Sequence, residues 1–363
     1  MVAIGVAGTA KNTGKTTTLT ALLQVAAGLG APVGLTSIGF DGEDLDHLTG
    51  LPKPRVDVPA GTWVATARPL LKVGTARLEP VSGTGVQTAV GEVVLARAEE
   101  AGRVVLAGPA TAAGLRTVLA ALPRSGLCLV DGAFGRMAPM LATQGLVLAT
   151  GAAYRRQLPA LLAETAALVW LFERPVLDPP AGPVVRLHGI LTPNDAKQAS
   201  EALRRFGGAA GELRLVLGGV VPVAGLEILA EVLEALPIAP EIQFDNVMCL
   251  ALGGPPLKVR GLLRRLGRRS RVGLARGFPL LAVTVNPFFP DESGGKFRPG
   301  YVDGQRLREE MAASLPVPVV DVRQQDASTV LHQVVGNLLS MRDLSIEGIK
   351  RTSSYLSVAP THK

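Results

Sequence analysis

An α/β fold, built on a mostly parallel sheet with helices on both faces, follows from three observations. A strand-like apolar run, Val2-Ala3-Ile4-Gly5-Val6-Ala7, opens at once into a Gly/Thr-rich turn and then a helical pattern. Strand, polar tip and helix recur along the chain. Later strands such as Leu127-Cys128-Leu129-Val130 and Leu146-Val147-Leu148-Ala149 are apolar throughout, as expected of strands covered on both faces. With 363 residues, 47% of them hydrophobic and 18% charged, the chain has enough apolar surface for a large core, which argues against a disordered or linker protein.

The first strand leads into Gly8-Thr9-Ala10-Lys11-Asn12-Thr13-Gly14-Lys15-Thr16-Thr17. A glycine-rich turn from a buried strand into a helix aims backbone N–H groups and the positive helix end at one point, which suits a triphosphate. Lys11, Asn12, Thr13, Gly14, Lys15, Thr16 and Thr17 are expected to cradle phosphates, with Lys15 reaching the β- and γ-phosphates and the Thr16 hydroxyl ligating Mg²⁺. The strict spacing asks for glycine where Thr9 stands, with Gly8 one residue further out, so the loop is a variant.

Leu19, Leu22, Leu23 and Val25 give a helix ended by Gly28-Leu29-Gly30, and Pro32 to Gly39 gives a second strand. That strand delivers Asp41, Gly42, Glu43 and Asp44, where Asp41 either positions water and a metal ion or belongs to an acidic surface turn. Short strands at 61–66, 76–79, 92–96 and 103–107 have the spacing of hairpins as well as crossovers. After a helix at 111–122, the strand Gly126 to Val130 ends in Asp131-Gly132-Ala133-Phe134-Gly135-Arg136. Asp131 is the expected partner of the cradle, holding Mg²⁺ directly or through water, and Gly132 lets the backbone pass near the γ-phosphate. The competing reading of Asp131 is a cap on the following turn.

Further strands are read at 145–152, 184–193, 213–221, 280–287 and 317–322, and helices at 158–173, 195–206, 225–236 and 304–313. The Pro/Gly cluster at 175–183 marks a boundary, giving a nucleotide-binding domain at 1–175, an α/β region at 176–335 that packs on or continues the sheet, and a weakly packed tail at 336–363.

The net charge of +7 rests on scattered arginines, and the dense stretch Lys258 to Arg276 reads as a solvated helix face over Leu262, Leu263 and Leu266. Few aromatics accompany it, which argues against a nucleic-acid partner. Cys128 and Cys249 each sit in an apolar, strand-like run and imply neither a disulfide framework nor a metal site. His188 and His332 lack a second ligand at metal spacing. No apolar segment reaches a membrane span uninterrupted, and the N-terminus has neither a charged leader region nor a cleavage site, so a cytoplasmic location is expected. No Asn-Lys-x-Asp guanine signature occurs, which favours ATP and leaves GTP open; Asn194 and Asn286, each beside proline, are either base contacts or turn residues.

The order Gly8-Thr9-x4-Gly14-Lys15-Thr16, Asp131-Gly132-Ala133-x-Gly135 and Leu146 to Ala149 resembles the dethiobiotin-synthetase-like branch of P-loop proteins, although the lysine which that family places after its second strand is replaced by the run Leu35 to Asp41. Ala10 to Lys15 also resembles the molybdopterin-guanine-dinucleotide accessory proteins, which are much shorter. Over most of the chain, Ala10 to Leu19, Thr36-Ser37-Ile38-Gly39 with Asp41-Gly42-Glu43, Val130 to Ala133 with Arg136, Ala149 to Ala152, and Thr284 to Pro287 with Pro290 resemble the B-type subunit of the lysine 5,6-aminomutase reactivase. That resemblance implies a helper that restores a coenzyme-B12-dependent aminomutase, acting with a second reactivase subunit; a homodimer is also among the expected assemblies. Its ATPase would use Lys15, Asp41 and Asp131 as catalytic residues and Thr16, Asp131 and Asp41 around Mg²⁺. The loop 41–46 and the turn 132–136 would switch with hydrolysis. The alternatives are an ATP-dependent ligase or kinase of a small metabolite, with its substrate between the cradle and residues 284–291, and an accessory protein that binds a nucleotide without hydrolysing it.

Overall fold

The computed structural model describes residues 2–30, 32–40, 56–123, 126–205, 213–291, 298–324 and 327–341. Contacts divide the chain into two compact units, Met1–Leu161 with Pro279–Lys363, and Leu162–Phe278. The boundary drawn at 175 from the Pro/Gly cluster thus falls at Leu161, and the chain from Pro279 rejoins the first unit.

In chain order the first unit contributes β1 (Val2–Gly8), α1 (Lys15–Gly28), β2 (Val33–Ser37), β3 (Val56–Val58), β4 (Trp63–Ala67), β5 (Arg77–Thr88), β6 (Gly91–Glu100), β7 (Gly102–Val104), α2 (Ala112–Ala121), β8 (Leu127–Ala133) and β9 (Gly145–Gly151). Helix α3 (Leu158–Phe172) leads into the second unit, which holds β10 (Val184–Leu187), α4 (Pro193–Arg204), β11 (Arg214–Leu217), α5 (Val223–Glu234), β12 (Glu241–Phe244), α6 (Met248–Ala251), α7 (Pro256–Leu266) and β13 (Val272–Leu274). The return to the first unit adds β14 (Leu280–Asn286), β15 (Phe288–Asp291), β16 (Arg298–Tyr301), α8 (Gly304–Ser314), β17 (Val319–Val320) and α9 (Ala327–Met341).

The main sheet has the order β17-β14-β9-β1-β8-β2-β4-β6-β5. Every pair from β17 to β4 is parallel, and β6 and β5 close one edge as an antiparallel hairpin. The period of two in the strands decides what each face meets. Ile4, Val6, Leu35, Leu129 and Val147 share one cluster with Leu19, Leu22 and Leu23 of α1 and Leu331, Val334 and Val335 of α9. On the other face Gly5 lies against Met140 and Leu146, and the short 3-10 segment Ala138–Ala142 that carries Met140 packs on α2. The sheet is therefore mostly parallel with helical cover on both faces, as the sequence predicts.

The whole second unit lies in the connection between β9 and β14, which are parallel neighbours in the main sheet. Its own sheet is parallel in the order β10-β11-β12-β13. Leu215, Leu217, Ile242 and Phe244 form its buried apolar side, whereas Arg214, only 4% exposed, is paired with Glu241 and reaches Gln243.

Several expectations change. Residues 105–107 lie beyond β7, β10 stops at Leu187, and β17 is only Val319–Val320. Cys249 lies in α6, a short helix, because a run of four buried apolar residues does not by itself separate strand from buried helix. The segment from 336 is not all tail, since α9 continues to Met341 with Leu338 buried. Residues from Arg342 onward and the acidic run 41–46 lie outside the described residues. Among the described residues no helix is long and apolar enough to cross a membrane.

Cys128 is fully buried in β8, and desolvation pushes its thiol up to about 12. At pH 8 only about one thiol in ten thousand is then thiolate, the reactive form. Native protein is expected to leave Cys128 unlabelled by a thiol-exchange reagent under conditions that label the urea-unfolded chain fully. Rapid native labelling, located by peptide mapping, would show that β8 is not packed as described.

Candidate functional site

The cradle forms where β1 ends. Its last residue, Gly8, is level with Ala133 of β8 and Ala149 of β9, so the loop after β1 rises between the tips of its two neighbours. Tip and loop are tied together by the Thr9 N–H donating to Ala149 O at 2.9 Å and the Thr9 hydroxyl donating to Thr150 Oγ1 at 3.0 Å. At the helix start Gly14 has φ 90°, left-handed backbone that a side chain disfavours. No side chain caps α1 and no acidic residue lies in its first turn. Its leading N–H groups are thus left for an anion at the positive end of the helix.

The loop residues divide their roles. Thr13, expected in the phosphate cradle, is 1% exposed, and its hydroxyl donates to Ala10 O at 2.9 Å, so its side chain closes the loop. Asn12 takes φ 63°, and its carbonyl accepts the Asn286 Nδ2–H at 3.0 Å. Lys11 is exposed at the loop, and Thr16 and Thr17 are half-buried on the first turn of α1. Lys15 reaches across to β8, its Nζ 2.6 Å from Asp131 Oδ1, with both side chains about four-fifths buried (24% and 20% exposed).

The structure therefore brings Lys15 and Asp131 into direct contact beside the helix start that carries Thr16. Asp41 lies outside the described residues. Gly132 serves packing, since a Cβ there would stand 2.5 Å from Met140 Cε. Arg136, on the turn after β8, donates to Phe40 O at 3.2 Å. Among the described residues no group of three or more His, Cys, Asp or Glu gathers as a metal site. A hydroxyl, a carboxylate and phosphate oxygens are the hard donors that suit Mg²⁺, so the residues present fit that ion.

Beyond the motif, β14 builds the other wall. Thr284 Oγ1 is 2.7 Å from Thr18 Oγ1 inside the core, and Asn286 at the strand tip braces Asn12. The Asn286 Oδ1 atom accepts the Phe288 N–H at 3.2 Å, which fixes the plane of the amide. A small cavity opens here, lined by Thr13, Thr17 and Thr18 on one side and Asn286, Asp321 and Val322 on the other. The Asn-Pro pair was the sequence signal for Asn286; Asp321 had no signal, because its place depends on β17 pairing with β14.

The strand, left-handed glycine turn and helix thus sit at the carboxyl end of β1 within a mostly parallel α/β sheet. No family model matches the chain, and no curated protein matches it. Among solved structures it is similar to that of pNOB8 ParA bound to nonspecific DNA, at 12% identity over 95% of this chain and 99% of that one, with a TM-score of 0.27. A likeness that distant carries no argument, and the site stands on its own geometry.

Gly14→Ala tests the cradle directly. A Cβ at φ 90° would also stand 3.2 Å from Asn286 Cβ. The variant is expected to lose about 1–2 kcal/mol of stability in urea unfolding and to bind a fluorescent nucleoside triphosphate at least about tenfold more weakly. Unchanged affinity would show that the turn does not contact phosphate.

Proposed function

We propose that this protein is a Mg²⁺-dependent nucleoside triphosphatase, with ATP as its nucleotide, whose turnover drives remodelling of a partner protein. The observation that carries the reading is the contact of Lys15 with Asp131 beside the uncapped start of α1. Lys15 would bind phosphate oxygens and Asp131 would hold the cation, with Thr16 as its second protein ligand. A bound Mg²⁺ would offset charge on the phosphates as it develops. Lys15 and the first-turn N–H groups of α1 would stabilise the same charge, the main demand of phosphoryl transfer. Asp41, on the segment after β2, is the candidate for positioning water or completing the metal shell.

The partner we propose is a coenzyme-B12-dependent aminomutase, with a second reactivase subunit. The support is the set of motifs shared with the reactivase family from Ala10 to Leu19 and at Asp131, Ala149 and Asn286. The turn at Phe134–Arg136, tied by Arg136 to Phe40, is where a change at Asp131 would reach the surface.

Phosphate release with Mg-ATP and Mg-GTP, with and without such an aminomutase, tests both levels. Wild type is expected to hydrolyse and to be stimulated by the mutase, and Lys15→Ala is expected to lower turnover by about 10²–10³-fold. Hydrolysis without stimulation would remove the mutase assignment and favour a small-metabolite ligase or kinase. Nucleotide binding by wild type, lost in Lys15→Ala, with hydrolysis at background would leave a non-hydrolysing accessory protein.

A further inference from the structure

We infer that the ion pair of Lys15 with Asp131 makes the cradle selective for a triphosphate that arrives together with a divalent cation, against either one alone. The inference rests on the cradle being the triphosphate site proposed above, and it gives Asp131 a second task, the exclusion of the metal-free anion.

Two ion pairs among the described residues have both side chains less than one-quarter exposed, Lys15–Asp131 at 24% and 20% and Arg214–Glu241 at 5% and 24%. The two are built differently. Arg214 also donates to Asp178 O and Gln243 Oε1, and Glu241 also accepts from Arg271, so further partners hold that pair in place. Lys15 Nζ meets Asp131 Oδ1 at 2.6 Å, and among the described residues neither side chain makes another hydrogen bond or ion pair. An ammonium donates three hydrogen bonds and a carboxylate has about four acceptor sites, so one contact leaves most of both unused. A shielded pair supported by a single contact can exchange partners, provided that both charges find new ones together.

That proviso is the source of the selectivity. A metal-free triphosphate that took Lys15 would set its oxygens against the Asp131 carboxylate, negative against negative in a site largely shielded from water. A divalent cation that took Asp131 alone would face the Lys15 ammonium in the same way. Supplied together, the two satisfy both side chains, and each raises the affinity for the other by the same factor. The leading N–H groups of α1 and the Lys15 ammonium attract a phosphate with or without its cation, so the carboxylate is the group that discriminates.

The test measures equilibrium binding to the full chain of ATP in EDTA, of Mg-ATP, and of Mn²⁺ alone, with free Mn²⁺ read by electron paramagnetic resonance. Wild type is expected to bind Mg-ATP at least about a hundredfold more tightly than metal-free ATP. Asp131→Asn removes the charge and keeps the shape, and it is expected to bind metal-free ATP at least about threefold more tightly than wild type while binding Mg-ATP more weakly. A residue that only ligates the cation would lose Mg-ATP affinity without that gain, and a merely structural one would weaken both. Lys15→Met is the mirror variant, which releases the carboxylate and is expected to bind Mn²⁺ alone at least about tenfold more tightly than wild type. Equal binding of ATP with and without Mg²⁺ by wild type, or a folded Asp131→Asn without its gain, overturns the inference and leaves the cradle standing. Should that variant not fold, absence of the Lys15→Met gain overturns it. Wild type that binds neither form of ATP overturns the cradle reading as well.

Discussion

The left-handed backbone at Gly14 is the constraint on which the rest of the site depends. With φ at 90° the chain turns from the end of β1 straight into α1 without a residue that caps the helix with its side chain. A serine or aspartate in that place would satisfy one of the leading N–H groups and remove it from a ligand. Because glycine stands there, the first turn keeps its donors, and the helix axis points its positive end at the space above β1 and β8. The loop is held in that form from both sides. Thr13 closes it through Ala10, Thr9 ties it to β9, and Asn286 braces it from β14.

The contact of Lys15 with Asp131 follows from the same geometry. Val6 of β1 is level with Asp131 of β8, so a side chain rising from the first turn of α1 meets the carboxylate at the neighbouring tip. The pair is largely shielded from water, where an unpartnered charge of either sign would be costly. On the proposed reading, phosphate and a cation would exchange this contact for two others of the same sign logic, the ammonium going to phosphate oxygens and the carboxylate to the metal. No charge would then be left buried and alone at either stage, so such an exchange of partners need not pass through an isolated ion. This is why one close ion pair is a better functional signal here than the other pairs of the chain, such as Arg306 with Glu310 along one exposed helix face.

What was legible in the sequence was local. Strand β1, the glycine turn, α1 and the apolar β8 ending in Asp131 are each written in a few consecutive residues, and their side-by-side placement follows from parallel pairing. Asp321 was not legible, because nothing near it in the chain says that β17 will pair with β14. The division into units was also hidden. A Pro/Gly cluster marks a turn, but whether the chain later returns to the first sheet is decided by β14 finding β9 across the whole second unit. Helix α9 did leave a signal, Leu331, Val334, Val335 and Leu338 at helical spacing, and all four are buried.

The basic stretch shows how composition misleads when read without partners. The segment from Lys258 to Arg276 looks like a positive surface, yet Arg265 pairs with Glu234 and Arg271 with Glu241. Arg269 donates to the carbonyls of Leu233, Glu234 and Leu236 at the end of α5. Those carbonyls lie at the negative pole of the helix, where Leu233 O also accepts the Leu236 N–H at 3.2 Å, and a guanidinium is a fitting further donor there. Val259, Leu263 and Leu266 bury the other side of α7, so the amphipathic reading of that stretch was sound while its charge serves inside the second unit. Positive charge in a chain with a net excess of it is therefore not by itself an address for a polyanion; the partial positive pole of α1 and the Lys15 ammonium beside it both lie in the other unit.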